Sequence, residues 1–493
     1  MNSRAFVRSL TLKEFRALLP AFIAGLTAIG AAFVSSDGRV LLIGALGYSV
    51  AAVALGALTV GHEYTHRTMG LLLVQPVDRR YVLLIKLGML LGLLGVLGAA
   101  AWSAPFNTEA WQRPWPWKHP AMVLLPVVVG VFIAPWLTMV CRNTLAGIVF
   151  AGTVPGLLMF SGELIGAVRF GVGHPDVDVF RDDVWTRGMV IILAAGALLT
   201  WRTFLRLEAL DGTGSDVHMP RWFTVERPAR RHPVWLLVRK EIHLQQMTLV
   251  VVVLFCIGWG TLSLLKDLVP AFANAPVVPV TVIYFVLLSI LIGSVASAEE
   301  RNLGVVQCQL LLPMAAWQQW LVKVAVALGL ALVMGVALPI LLNYLSPAPD
   351  DFEIRRLWRQ IAIMIPVLTS FSLYVSSLSS SAVRAVMLSF PALIALLVLT
   401  DYVGSSPWIT STGVMVPARG DFVRVERAAL EFFVLATLTA LVAVTLWTAY
   451  QNHRFAERGL GRIATQLLIF LAVPLGAVVL AAGFIVARML VSD

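Results

Sequence analysis

The sequence predicts an all-α polytopic membrane protein of two pseudo-symmetric six-span halves plus one extra C-terminal span. Three observations carry this. The 493 residues are 59% hydrophobic and only 13% charged, against roughly 25% charged residues in globular proteins. Apolar runs close to the roughly 20 residues that cross a bilayer recur along the whole chain. Landmarks in one half return in the other at a fixed spacing.

The elements follow in chain order. The opening "MNSRAFVRSLTLKEFRALLP" is too long and too charged for a signal-peptide n-region. Its mixture of basic and apolar positions predicts an elbow helix at 10–20, lying on the membrane surface. The first half, 1–205, then carries spans at about 18–36, 40–60, 84–103, 121–141, 145–168 and 188–204. A polar linker at 206–232 ends "RPARRHP", and its Gly, Pro and charge mark a loop. The second half, 233–450, opens on a second elbow at 237–247 and continues with spans at about 248–265, 278–297, 324–345, 361–380, 385–402 and 429–449. The basic stretch "NHRFAERGLGR" and a thirteenth span at 467–487 make up 451–493, outside the six-plus-six plan.

Charge orients these spans. Most Lys and Arg, including Arg8, Lys13, Arg79, Arg80, Arg230, Arg231 and Lys240, fall in segments that are cytoplasmic if the N-terminus is, as the positive-inside rule requires. The net charge of +10 is thus a topology signal with attraction for anionic lipid, and no nucleic-acid partner is expected. Cys141, Cys256 and Cys308 are scattered and form neither a disulfide framework nor a metal-ligand spacing.

The repeat is sharpest around residues 63–86, "EYTHRTMGLLLVQPVDRRYVLLIK", and 300–323, "ERNLGVVQCQLLLPMAAWQQWLVK". A shift of 237 aligns Glu63 with Glu300, Pro76 with Pro313 and Lys86 with Lys323, without a gap. The two elbows echo each other as well, Lys13-Glu14 against Lys240-Glu241. Halves with an even number of spans imply parallel repeats about an axis normal to the membrane. The repeat also bears on "HEYTH" at 62–66, which matches the H-E-x-x-H zinc-protease spacing. At the positions of His62 and His66 the second copy has Glu299 and Leu303, so only the acid is shared. No H-x-x-G-x-x-H extension follows. No metal site is expected.

The doubled segment resembles that of the permease subunit of type-2 ABC (ATP-binding cassette) exporters. In that family an acid, a small polar pair, a leucine-rich stretch, Pro, Arg and Lys follow the second span of a six-span unit. The resemblance implies a cytoplasmic coupling helix in each half, with Glu63, Thr68, Leu72, Pro76, Arg80 and Lys86 in the first and Glu300, Gly304, Leu311, Pro313 and Lys323 in the second. It implies a multi-pass protein of the plasma (bacterial inner) membrane, with the N-terminus cytoplasmic. The second copy departs from the pattern, with Ala316 and Trp317 at the positions of Arg79 and Arg80 and Val305 at that of Thr68. The acid suits the positive end of a helix, the leucines a docking face and the proline a stop. G-x-x-x-x-G-K-[ST] is absent, so the chain is expected to be a transport subunit, not an enzyme. No cofactor is expected on the chain itself. ATP and Mg are expected on a separate ATPase subunit, in two copies. Glu163 and Asp401, near the outer ends of the fifth span of each half, are expected on the translocation path, because an intramembrane acid costs roughly 2.5–3.5 kcal/mol and needs a reason. A proton-coupled transporter using these two acids is the alternative.

Overall fold

The computed structural model describes residues 3–34, 38–66, 68–74, 77–104, 121–171, 174, 176–207, 233–268, 277–302, 304, 314–345, 353–404, 420–454 and parts of 461–476. Among these, every regular element is a helix. Among the described residues, nine helices are long and apolar enough to cross a membrane, ten if one bent pair counts as a single span, and Ala382–Val398 is a shorter apolar helix. The thirteenth expected span lies almost wholly outside the described residues.

In the first half, α1 (Ser3–Val34) runs unbroken through Pro20. The elbow expected at 10–20 is therefore no separate helix but the first turns of the first span. Pro20 cannot donate to the Arg16 carbonyl, and Arg16 is exposed, so polar surroundings can satisfy that oxygen. Next come α2 (Gly38–Thr65), a six-residue helix α3 (Met69–Val74) and α4 (Arg79–Ser103). The fourth span is broken into α5 (Ala121–Phe132) and α6 (Ala134–Cys141), bent by 46°. Pro135 lies in the first turn of α6, where its missing N–H interrupts the ladder without leaving a new orphan donor. Arg142 then takes a left-handed φ of 49°, and the Asn143 side chain caps α7 (Thr144–Phe170) by accepting from the amides of Leu145 and Ala146 at 2.9 and 3.2 Å. The half ends with α8 (Asp176–Leu205).

In the second half a separate helix, α9 (Pro233–Leu244), precedes α10 (Gln246–Leu268). Buried Gln245 fixes the break. Its side-chain amide donates to the Ile292 carbonyl at 3.0 Å, and its oxygen accepts from Thr248 at 2.7 Å. Then follow α11 (Val277–Asn302), α12 (Ala316–Leu332), a π-turn at Val333–Ala337, α13 (Leu338–Leu345), α14 (Glu353–Leu378), α15 (Ala382–Gly404) and α16 (Gly420–Arg454). The π-turn has a local cause. Pro339 cannot extend an α ladder, and the chain instead bonds the Leu338 amide back to the Val333 carbonyl. The Tyr284 hydroxyl donates to the neighbouring Met334 carbonyl at 2.9 Å.

The second spans, α2 and α11, are the most buried of the nine. Each runs parallel to the fourth span of its own half, and glycine permits the close approach. A Cβ on Gly56 would lie 1.8 Å from the Gly130 carbonyl oxygen, and one on Gly293 would lie 2.5 Å from that of Thr369. Gly56 and Gly293 are again 237 residues apart. Serines continue the α11–α14 seam. Ser372 and Ser376 donate to the carbonyls of Ile290 and Ser294 at 2.6 and 2.7 Å. The halves meet where α15 packs along α1 and α2: a Cβ on Gly47 would lie 3.3 Å from the Phe390 Cβ. The counterpart of α15 in the first half, α7, touches α10 only lightly.

Candidate functional site

The described landmarks of the repeat converge on two buried ionic clusters. In the first half, α1 supplies Lys13 and Glu14, the last turn of α2 supplies His62 and Glu63, and the second turn of α4 supplies Lys86. Glu14, Glu63 and Lys86 have no exposed surface at all. The Lys86 ammonium lies 2.5 Å from Glu14 Oε1 and 3.3 Å from Glu63 Oε1, and it donates to the Thr59 carbonyl at 3.2 Å. Lys13 reaches Glu63 at 2.8 Å, and His62 Nε2 lies 3.2 Å from the same carboxylate. Thr68, just before α3, donates its hydroxyl to Glu63 Oε2 and its amide to the Glu63 carbonyl.

The second half builds the same object. Lys323 lies 3.1 Å from Glu241 Oε1 and 2.7 Å from Glu300 Oε2, and it donates to the Ala296 carbonyl at 2.6 Å. Lys240 pairs with Glu300 and lies 3.7 Å from Glu241. The carbonyls of Thr59 and Ala296 are themselves 237 residues apart. The correspondence therefore reaches a backbone group that no side-chain pattern reveals. Buried charge is tolerated only when paired and hydrogen-bonded, and each lysine here meets two carboxylates and a carbonyl.

The two clusters lie at the same end of the bundle. The parallel α11 and α14 bring Glu300 close to the start of α15, through contacts such as Ala298 N to Ser376 Oγ at 2.8 Å. Near that start, Arg384 is close enough to act on His66. Partial desolvation and the Arg384 guanidinium together hold the His66 imidazole below its usual range.

Several expected site residues sit differently from their predicted roles. Glu63 is not at the N-terminus of the short helix. It belongs to α2 and is buried, and Thr68 is its link to α3. Leu72, expected on a docking face, is buried with Met69 against Leu10, Val60, Val82, Leu83, Met139 and Phe204. The outward apolar side chains of α3 are Leu71 and Val74, which are 71% and 77% exposed. Arg80 is exposed, and its amide is capped by Asp78 at 3.0 Å. Gly304 follows α11 in an exposed turn with φ +70°, which a glycine adopts without strain. Pro76, Leu311 and Pro313 lie outside the described residues. Glu163 sits on α7 and Asp401 on α15, but their side chains lie outside what is described.

The imidazoles of HEYTH do not converge. His62 is buried and donates from Nδ1 to the Leu58 carbonyl at 2.7 Å, while His66 is exposed. Ligand atoms of Glu14, His62 and Glu63 do lie within 4.8 Å of one another, the one such group of three among the described residues. The positive charge that a metal would bring to them is already supplied by Lys86 and Lys13. Outside the spans, on α9, burial pushes the Glu241 carboxyl up to about 7 against the pull of Lys323.

Comparison of the chain with family models, with curated proteins and with solved structures finds no match.

Proposed function

We propose that this chain is the membrane-spanning permease of an ATP-driven exporter of the type-2 ABC kind, powered by separate ATPase subunits. The observation that carries the reading is the duplicated cluster, Lys-Glu from the start of each half, Glu from the end of its second span and Lys from its third. In the first half this cluster holds a short helix whose outward face is apolar. A displacement of α3 passes through Thr68 to Glu63, and from Glu63 to α1 through Lys13 and to α4 through Lys86. Three spans then move as one when a partner pushes on Leu71 and Val74. Closure of two ATPases around ATP and Mg would drive alternating access in this way, with no covalent chemistry on the chain. The cargo class that suits apolar spans is a lipid, an antibiotic or another small amphiphile, exported from the cytoplasmic side of the bacterial inner membrane.

The test is purification of the full chain in lipid nanodiscs with the ATPases of its host. The expected result is one copy of the chain with two copies of an ATPase, bound through the α3 face and lost in Leu71→Asp with Val74→Asp. Recovery of the chain with no ATPase under any nucleotide condition would overturn the reading.

One observation favours a second reading. A buried carboxyl titrating near neutrality, Glu241, beside Glu300, Lys240 and Lys323, is what a proton-coupled transporter needs. Transport driven by a pH gradient alone, and abolished in Glu241→Gln, would establish it in place of the first.

A further inference from the structure

The two halves secure the end of their sixth span by different means. In the first half, Arg79, at the start of α4, donates to the carbonyls of Leu205 and Leu207 at 3.3 and 2.7 Å. The last carbonyls of a helix lack intrahelical donors and favour a cation, so one guanidinium ties the sixth span to the third. At the same register the second half has Ala316, which has nothing to donate.

There the end of α16 is held from elsewhere. Arg301 donates to the Asn452 carbonyl at 3.3 Å. The Asn452 and Gln466 side-chain amides form a reciprocal pair at 3.2 and 3.0 Å. Asn452 also donates to Ser377 at 3.1 Å, and the Tyr374 hydroxyl donates to Gln466 at 3.0 Å. Gln466 and Asn452 are only 2% and 6% exposed, and the Phe470 ring meets Tyr374 edge-on at 4.6 Å. Beside this knot, His453 packs on Trp320 with ring centroids 5.4 Å apart. Trp320 is one turn before Lys323 of the second cluster.

We propose that the described residues beyond the two halves are a structural part of the second one: Gln466 and Asn452 are positioning residues that hold the second coupling region as Arg79 holds the first. The segment is thus no appendix. It supplies from outside the repeat the donors and acceptors that Ala316 cannot. This deepens the exporter reading, and rests on it for what the tie serves, but the tie can be measured without any ATPase.

The experiment is amide hydrogen exchange on the full chain in nanodiscs. Gln466→Ala should speed exchange by about tenfold at 296–302 and 316–323 while leaving 59–65 and 79–86 unchanged, because removing one partner leaves a buried amide unsatisfied. Arg79→Ala should do the reverse. Tyr374→Phe, which removes a single hydroxyl, should give a smaller effect in the same place and serves where Gln466→Ala folds poorly. Ala316→Arg in the Gln466→Ala background should restore protection. Unchanged second-half exchange in both Gln466→Ala and Tyr374→Phe, equal loosening of both halves, or no rescue by Ala316→Arg would overturn the proposal. Failure of ATPase binding with this exchange pattern intact would remove the exporter reading alone.

Discussion

Lys86 and Lys323 are lysines without solvent, and each is surrounded by two carboxylates and a carbonyl. Removing one partner of a buried ion pair costs about 3–5 kcal/mol, because the other charge stays behind uncompensated. Lys86→Met should therefore destabilise the first half by about that much, read as thermal unfolding in detergent, and Glu14→Gln in the same chain should recover part of it. Glu241 sets a pH dependence of known sign. Its folded carboxyl titrates at about 7, above the ordinary carboxylate value of 4.5. Its contribution to stability is thus fully present below pH 4.5 and lost as pH rises through 7. The melting temperature should fall over that window by more in the wild type than in Glu241→Gln. An equal fall in both would show that other groups set the slope. The residues of these clusters were legible in the sequence as matched landmarks, Lys13-Glu14 with Lys240-Glu241 and Glu63 and Lys86 with Glu300 and Lys323. That they touch was not, because the contact closes three helices that are distant along the chain. The carbonyls of Thr59 and Ala296 leave no trace in a side-chain pattern.

At the scale of elements, α3 is where sequence and structure part most clearly. Its six residues, "MGLLLV", are apolar all round, so no polar face tells which leucine points inward. Leu72→Asp should unfold the packing around Val82 and Phe204, whereas Leu71→Asp with Val74→Asp should leave the melting temperature within experimental error and cost partner binding. Circular dichroism melts beside co-purification separate the two. The seam of α2 with α5 makes a further demand. Gly56→Leu would drive a side chain into the Gly130 backbone and should prevent the two helices from closing, with a loss exceeding the about 1–3 kcal/mol of ordinary overpacking. Gly293→Leu should act alike in the second half. The glycines escape notice in sequence because small residues are common in membrane helices. The continuity of α1 was hidden by the mixture of basic and apolar positions over 10–20, which reads as a surface helix but runs straight into the span.

For the whole molecule, the contact between halves is lopsided, α15 lying along α1 and α2 while α7 barely meets α10. Gly47→Cys with Phe390→Cys should form a disulfide under mild oxidation, since the Cβ positions stand 3.3 Å apart, a few tenths of an ångström short of the usual disulfide range of about 3.5–4.5 Å. If the halves rock during transport, trapping with ATP and the partner ATPases should change its yield. A yield that never varies would argue for a fixed interface.

Among the described residues, each ionic cluster draws only on its own half, and this has a consequence for how the protein is made. During synthesis the first cluster has all its members once Lys86 has left the ribosome, before the fourth span exists. The second has its charges once Lys323 emerges, yet the amide pair beside it waits for residue 466. Two separately translated polypeptides, cut within 208–232, should therefore insert and reassemble into a working pair. If the second is shortened before residue 466, it should still enter the membrane but be the one that quality-control proteases remove.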